Sequence, residues 1–275
     1  MDYGRNYQID QDMPIVLFKL NGVQYGMRSD RIQSFTQFEA VHALPDAPGF
    51  VRGVINLRGQ IMPLVDLRVA LGMKAAPVEL DETKELLEGR KQDHLNWLNK
   101  LEESVRTNSE FSLTTDPHAC AFGKWYDNYK PRSEMLRHHL KKMDEPHKAI
   151  HAIADRVKAH QREGNFEMAW KLVAQTREQE LSQMVELFDQ LCDALHHNMR
   201  EIAIVMETGS GSLMAAVVDE IIGIEQVVDT DTNSVVAANY RIAKRAKDSS
   251  PVILLDGAWV AGLGREIDPP AVLER

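Results

Sequence analysis

The sequence predicts an α+β protein in which one β-rich domain is interrupted by a bundle of helices. Short apolar runs separated by turn signals occupy both ends of the chain, and residues 79–198 show helical spacing with almost no glycine. The two β parts also share a faint repeat. We therefore expect a first half-domain at 13–77, an inserted helical domain at 79–199 and a second half-domain at 200–265.

Composition and charge narrow the class of protein. The 275 residues are 44% hydrophobic and 27% charged, as in ordinary globular proteins. Their 32 basic and 41 acidic side chains give a net charge of −9, which repels phosphate backbones, so nucleic acid is not an expected partner. The polar N-terminus lacks a secretory pattern, and no apolar run approaches the roughly 20 residues of a membrane span. We expect a cytoplasmic protein without membrane insertion.

Strand and turn signals define the two β parts. In the first, IVLFKL and VQYGM flank Asn21-Gly22, and GVINL and IMPLVDL flank Arg58-Gly59, which predicts two hairpins. In the second, IAIVM and LMAAVVDEIIGI flank a Gly-Ser-Gly-Ser turn at 209–212. The later VILLDGAWVAGL contains Asp256-Gly257, which predicts a further hairpin.

The repeat between the β parts indicates one shared core. Asp30-Arg31-Ile32 corresponds to Asp219-Glu220-Ile221, and PLVDLRVALG corresponds to ILLDGAWVAGLG. A β half of about 60 residues buries little apolar surface alone, so the two halves should fold together. The ends of the insertion must then lie close, as they do in an antiparallel bundle with an even number of helices, and four helices fit its length.

One histidine faces the interior of the first insert helix. Leu87, His94, Leu98, Leu101 and Val105 follow one another at steps of 7, 4, 3 and 4, which is one continuous helical face. Alone, such a histidine is usually a hydrogen-bonded core residue. Further metal-binding side chains in the insertion favour a second interpretation.

A His₃Cys set is the candidate metal site. Asp144 and Pro146 predict a helix start, after which His147 and His151 lie one turn apart on one face. Cys120 offers a thiolate between the two helices, and with His94 the set suits zinc. Chance spacing and a buried, unreactive Cys120 remain the alternative. The competing ligands nearby in sequence are His118, His138 and His139.

Catalysis is not expected. Four protein ligands close a tetrahedral zinc shell and leave no position for water or substrate. The HExxH motif of metalloproteases needs glutamate where this chain has Lys148, and no nucleophile lies beside a base in sequence. A metal-dependent enzyme with an open zinc position is the rival hypothesis.

The β parts resemble CheW-like domains. VRGVINLRGQIMPLVDLR at 51–68 is similar to their most recognisable stretch, and VVDEIIGI at 217–224 is similar to their second half. The resemblance implies two intertwined SH3-like β-barrels that bridge chemoreceptor tips to the histidine kinase CheA without catalysis. It also implies a receptor-binding surface near the turn with Asn56 and Arg58, adjoined by Val54 and Ile55.

The insertion resembles the chemoreceptor zinc-binding family, called CZB. The similar phrases are DHLNW around His94, CAFGKWY from Cys120, and PHKAIH from Pro146 to His151. The resemblance implies Zn²⁺ ligation by His94, Cys120, His147 and His151, and a possible homodimer through this domain. We expect zinc occupancy or cysteine oxidation to modulate the scaffold; a plain adaptor with purely structural zinc is the alternative.

Overall fold

The computed structural model describes residues 14–38, 40–131, 134–198, 201–208, 211–229, 235–237 and 240–265. The chain forms two compact units. The described residues of Met1–Ala76 and Met199–Arg275 belong to one unit, called here the β unit, and Pro77–Asn198 form the other, called the helical unit.

The described residues of the β unit form two sheets, two short α-helices and a 3₁₀ turn at Ser29–Arg31. Its N-terminal elements are β1 (Ile15–Leu20), β2 (Val23–Arg28), β3 (Ile32–Thr36), β4 (Val51–Leu57), β5 (Gln60–Asp66) and α1 (Leu67–Ala70). Its C-terminal elements are β6 (Ile202–Glu207), β7 (Leu213–Val218), β8 (Glu220–Glu225), β9 (Val227–Asp229), β10 (Val235–Ala237), β11 (Tyr240–Arg245), β12 (Pro251–Leu255) and α7 (Gly257–Arg265).

Each sheet takes strands from both ends of the chain. The larger sheet has the order β10-β11-β12-β2-β1-β8, with β9 also paired to β11, and the smaller has the order β3-β6-β7-β5-β4. Neither half of the sequence completes a sheet alone. The prediction of an interrupted, jointly folded β domain is therefore confirmed.

The faint sequence repeat corresponds to a repeat in topology. The smaller sheet has the order β3-β6-β7-β5-β4. Five strands of the larger sheet, read from its β8 edge, have the equivalent order β8-β1-β2-β12-β11. The parallel pair is equivalent as well, because β5 pairs with β7 and β12 pairs with β2. The two halves thus have the same strand plan, and they exchange their first hairpins between sheets.

The two expected hairpins have backbones suited to tight turns. Asn21 and Gly22, which join β1 to β2, have φ of 52° and 77°. Arg58 and Gly59, which join β4 to β5, have φ of 55° and 87°. Positive φ at both central residues is the type I′ pattern, which matches the twist of antiparallel strands. The Asn56 side chain accepts a hydrogen bond from the Gly59 N–H at 2.8 Å and closes the second turn.

The expected hairpin at Asp256-Gly257 is wrong. Asp256 instead caps α7, because its Oδ1 accepts hydrogen bonds from the N–H groups of Ala258 at 2.7 Å and Trp259 at 3.2 Å. Asp66 caps α1 in the same way through the Val69 N–H. Aspartate followed by a glycine predicts a turn, but the apolar residues after it pack as a helix here. The two repeated phrases, PLVDLRVALG and ILLDGAWVAGLG, therefore each form the end of a strand, an aspartate helix cap and a short helix.

Gly53 has a role that the sequence did not indicate. It lies inside β4 at a register shift, with φ of 138°, rather than in a turn. A Cβ there would lie 2.1 Å from the His42 carbonyl oxygen, and His42 exchanges two backbone hydrogen bonds with Val54. Gly53 thus allows the 42 segment to pair with the edge strand.

The described residues of the helical unit form four helical segments, as expected. They are α2 (Ala76–Thr107), α3 (Ala121–Asn128), α4 (Glu134–Arg162), and a last one in which α5 (Phe166–Thr176), a π-helical turn (Arg177–Leu181) and α6 (Ser182–Asn198) are continuous. The Lys84 Nζ lies 3.4 Å from the His196 Nδ1, so the first and last helices lie side by side. In the described part of the chain, no helix is both long and apolar enough to cross a membrane.

The helix start expected at Asp144 and Pro146 is wrong. Pro146 lies inside α4, which begins at Glu134. Proline removes one backbone N–H and usually ends a helix, but Pro146 is buried in the bundle, where packing compensates for the lost hydrogen bond. His147 and His151 keep their one-turn spacing on the buried face.

Candidate metal centre

Four side chains from three helical segments meet inside the helical unit. His94 comes from the middle of α2, Cys120 immediately precedes α3, and His147 and His151 lie on α4. One ligand atom from each lies within 4.8 Å of the others. The three histidines are only 2–4% exposed, and Cys120 is half-buried. These are the four residues that the sequence singled out.

The ring orientations leave nitrogen lone pairs available for a metal. The His94 Nδ1–H donates to the Arg90 carbonyl at 2.7 Å, so its Nε2 carries the lone pair, and this atom is buried without a hydrogen-bond partner. The His147 Nε2 lies 3.2 Å from the Cys120 Sγ. Neither ring nitrogen of His151 makes a well-formed hydrogen bond, although the Thr114 backbone lies close enough to favour its charged form. Buried polar atoms without partners are rare, and here they converge.

The fold holds Cys120 in position from its own helix. Cys120 is the N-cap of α3, and its Sγ accepts a hydrogen bond from the Gly123 N–H at 3.1 Å. Its thiol also lies 3.3 Å from the Pro117 carbonyl oxygen, to which it donates. The side chain is therefore fixed on one side by a helix end and on the other by the preceding loop.

Burial keeps all three imidazoles neutral. Burial lowers the pKa of His94 below its ordinary value. Burial, followed by the neighbouring His94 and His151 rings, lowers the pKa of His147 to about 3. Burial and the His94 ring lower the pKa of His151 to about 4. Neutral imidazole is the form that binds a metal, so these residues are ready to ligate near neutral pH.

The pKa of the cysteine shifts in the opposite direction. Burial raises the pKa of the Cys120 thiol, although the Gly123 N–H opposes this by stabilising the thiolate. Without a bound metal ion, the thiol therefore stays protonated near neutral pH. A bound metal ion deprotonates a coordinating thiol, so metal binding at this site would release a proton.

The donor set fits zinc. Neighbouring donors of a tetrahedral zinc site with imidazole and thiolate ligands are about 3.3–3.7 Å apart, from bond lengths of about 2.0–2.3 Å. The 3.2 Å between the Cys120 Sγ and the His147 Nε2 is close to this spacing, and the whole set spans no more than 4.8 Å. The orphaned Nε2 of His94 supplies an observation independent of sequence motifs. The residues present therefore fit the metal.

An aromatic shell surrounds the donors. The Phe122 ring lies 4.9 Å from the His147 ring and 5.5 Å from the His94 ring, with ring edges facing ring planes. The Trp97 ring lies 4.8 Å from that of His151, and its indole N–H donates to the Thr114 carbonyl at 2.8 Å. This packing limits the access of water and fixes the imidazole planes.

The competing histidines lie outside the cluster. The exposed His118 pairs through its Nδ1 with Asp127 at 2.9 Å. His138 and His139 point in different directions from adjacent positions on α4, with ring centroids 6.2 Å apart. None of the three belongs to the group of donor atoms described above.

The structure divides the expected partner-binding residues into exposed and buried positions. Arg58 and Asn56 are exposed at the β4–β5 turn, Val54 is half-buried, and the Ile55 side chain is buried at 3% exposure. Ile61 pairs with Asn56 across the hairpin and is 68% exposed. Ile61 alternates with the buried Met62 in β5, so its side chain lies on the opposite, exposed face of the strand.

Two protein families match the chain. The CheW-like domain matches residues 14–87, and the chemoreceptor zinc-binding domain matches residues 94–158. The second match contains His94, Cys120, His147 and His151. Both resemblances noted in the sequence are thereby confirmed.

Individual relatives are similar over parts of the chain. A chemotaxis protein CheW of Bacillus subtilis is 25% identical over 38% of this chain and 65% of its own length. A chemotaxis protein CheW of Klebsiella aerogenes is 34% identical over 24% of this chain and 39% of its own length. The chain thus spans less than two thirds of either relative. The crystal structure of the scaffolding protein TtCheW from Thermoanaerobacter tengcongensis aligns over 89% of this chain and 88% of its own, with a TM-score of 0.38 and 11% identity.

Proposed function

We propose that this chain, which contains a CheW-like domain and a chemoreceptor zinc-binding domain, is a cytoplasmic, non-catalytic scaffold that couples chemoreceptor tips to the histidine kinase CheA. Zinc held by His94, Cys120, His147 and His151, or oxidation of the cysteine, modulates that coupling. The observation that carries the regulatory part is the convergence of four donor atoms in the inserted unit, from three buried histidines and the half-buried Cys120.

The topological repeat supports the scaffold assignment for both halves. The CheW-like match ends at residue 87, before the second β part begins. The strands of that part follow the same order as those of the first, and both sheets need strands from both parts. We therefore assign 13–77 and 200–265 to one interrupted CheW-like domain, with 79–199 as the insertion.

The donor set supports a sensing or structural role rather than catalysis. Zinc bound by three imidazoles and one thiolate would have a closed tetrahedral shell, without a position for substrate. The side chains of this site bind and orient, and the aromatic rings around them exclude water. Lys148, one residue after His147, pairs with Asp144 at 2.6 Å and offers no general base.

The chemical state of Cys120 can affect the conformation of the helical unit. Cys120 joins the short helix α3 to α4 through its contact with His147, beside the aromatic contact of Phe122 with the same histidine. Zinc shared by the two side chains would strengthen this link, so loss of zinc or oxidation of the thiolate would loosen α3. The first and last segments of the insertion, α2 and α6, are joined to the β unit by short links after Ala70 and before Ile202. Loosening of the bundle therefore reaches the scaffold through the chain itself.

Reconstituted arrays of chemoreceptor, CheA and this protein test the proposal. We expect CheA autophosphorylation in arrays to change when zinc is chelated or when oxidant is added, and to be insensitive to both in a Cys120→Ala, His147→Ala double variant. Cys192→Ala is the matched control, because Cys192 is half-buried in the same unit but outside the donor set. Equal zinc content in wild type and double variant would exclude this site.

A plain adaptor with purely structural zinc is the second candidate function. The burial of three of the four ligands within the helical core favours it, since buried closed sites commonly contribute folding energy. Kinase activity that ignores zinc and oxidant, together with lower thermal stability after chelation, would identify this role. A protein that pulls down neither CheA nor receptor tips would exclude both candidates.

A further inference from the structure

Gly123 lies at an unusually close approach of backbone to backbone. A Cβ on Gly123 would lie 1.9 Å from the Pro117 carbonyl oxygen, 2.9 Å from its carbonyl carbon and 3.0 Å from the Cα of His118. All three atoms belong to the main chain, so no side chain can rotate away. Only glycine allows the 117–118 loop to lie against the first turn of α3.

The same contact fixes the cysteine. The loop that touches Gly123 places the Pro117 carbonyl 3.3 Å from the Cys120 Sγ, and the Gly123 N–H donates to that sulfur at 3.1 Å. Cys120 therefore serves at once as the cap of α3 and as the partner of His147 at 3.2 Å. Displacing the loop from α3 would therefore change the position of the sulfur relative to the His147 imidazole.

We propose that Gly123 is a positioning residue of the metal centre: its missing side chain lets the loop close, and its N–H holds the metal-bound Cys120 sulfur by hydrogen bonding. The inference rests on the proposed zinc binding and adds how this chain sets the geometry and electron density of its thiolate. Donor groups behind a ligand tune its affinity and its reactivity by withdrawing charge.

Two substitutions test the steric role and the hydrogen-bonding role of Gly123 separately. Gly123→Ala keeps the N–H and adds a Cβ, and Gly123→Pro adds carbon atoms and also removes the N–H, at a first-turn position where proline is tolerated in helices. We expect Gly123→Ala to weaken zinc about 10- to 100-fold in competition with a chromophoric chelator. The matched control is Gly89→Ala in α2, where a Cβ meets nothing within 4 Å, and its zinc affinity should equal that of wild type.

A spectroscopic signature distinguishes positioning from a general loss of stability. In the cobalt-substituted protein, the sulfur-to-metal charge-transfer band reports the electron density on Cys120. A thiolate without its N–H donor gives up electrons more easily, so the band of Gly123→Pro should lie at lower energy than that of Gly123→Ala. Coincident bands in the two variants would overturn the hydrogen-bonding part of the proposal.

A measurement on the wild-type protein covers the case in which the variants do not fold. In the ¹¹³Cd-loaded protein, the Gly123 amide proton should show a scalar coupling to the metal, transmitted through the sulfur. Absence of this coupling, with the metal bound, would overturn the hydrogen-bonding role. Wild-type zinc affinity in Gly123→Ala would overturn the spatial role. A wild-type protein that binds neither zinc nor cadmium would instead exclude the proposed function.

Discussion

Arg52 and Glu201, separated by 149 residues of sequence, form a two-pronged ion pair in the β unit. The Arg52 Nη1 and Nη2 donate to the two carboxylate oxygens of Glu201 at 2.6 and 2.7 Å, and its Nε and Nη2 also donate to the Asp66 Oδ2. Asp66 is almost fully buried and also caps α1. One guanidinium therefore joins β4, the end of β5 and the point where the chain returns from the helical unit.

Removal of this guanidinium should destabilise the β unit. In Arg52→Ala, two carboxylates lose their shared cation, and that of Asp66 stays buried, so we expect unfolding free energy to fall by about 3 kcal/mol. Urea unfolding followed by circular dichroism measures the loss. Arg245→Ala is the control, because its partner Glu225 is more exposed than Asp66 and the expected loss of stability is smaller. Equal losses in the two variants would contradict the special role of Arg52.

The zinc-free protein should lose stability in mild acid. The pKa values of His147 and His151 are about 3 and 4 in the folded state, whereas unfolded histidine titrates near pH 6.5. The unfolded chain therefore binds more protons between these values. The stability that the neutral, buried imidazoles contribute is complete above about pH 6.5 and is lost as the pH falls towards 4.

Thermal melting in the presence of a chelator at pH 7 and pH 5 measures this effect. We expect a lower melting temperature at pH 5 for wild type and a smaller decrease for His151→Gln, which removes one of the buried imidazoles. His138→Asn replaces an exposed histidine outside the cluster and should retain the wild-type decrease. If His151→Gln showed the same decrease in melting temperature as wild type, the buried imidazoles would not be the source of the acid sensitivity.

Tryptophan fluorescence should report zinc occupancy. Trp97 is 5% exposed and its ring lies 4.8 Å from the His151 ring, so any change in the state of that imidazole changes the surroundings of the indole. Trp125 packs on Phe122 at 5.8 Å and is a weaker second reporter. Chelation should alter emission in wild type and in Trp170→Phe, which lacks the exposed α5 tryptophan, and should alter it much less in Trp97→Phe.

Charge reversal at the β4–β5 turn should weaken partner binding. Arg58 is exposed at the tip of the hairpin beside the exposed apolar side chain of Ile61, which is a suitable pairing for a protein contact. We expect Arg58→Glu to reduce capture of CheA or receptor tips by about tenfold, or about 1.4 kcal/mol, and to leave zinc content unchanged. Lys247→Glu, an exposed basic residue in a different turn, is the control. Equal capture by wild type and Arg58→Glu would remove Arg58 from the interface.

The cluster of four donor residues was predictable because most of its members came with a local pattern. The apolar spacing around His94 indicates an inward-facing side chain, and i,i+4 spacing puts His147 and His151 on one face whether or not a helix begins at Asp144. The start of α4 was not predictable from Pro146, because tertiary packing outweighs the local cost of proline. The close approach at Gly123 was also missed, since it depends on where the 117–118 loop lies in space.

In the β unit, alternation and turn residues predicted strands and hairpins, but not their partners. Asp256-Gly257 shows the limit: the dipeptide favours a turn, and only the packing of the following apolar residues selects a helix cap. The hairpin exchange between sheets depends on contacts between residues far apart in sequence. Local patterns carry no information on such contacts.

The mixed origin of both sheets imposes an order on synthesis. On the ribosome, β1–β5 emerge first and lack the hydrogen-bonding neighbours β6, β7, β8 and β12, which follow only after residue 201. The helical unit at 77–198 is translated in between and can collapse as a compact unit before them. Newly made chains would thus contain a folded helical unit while the edges of their first strands are still unpaired, which makes this interval the one most exposed to aggregation.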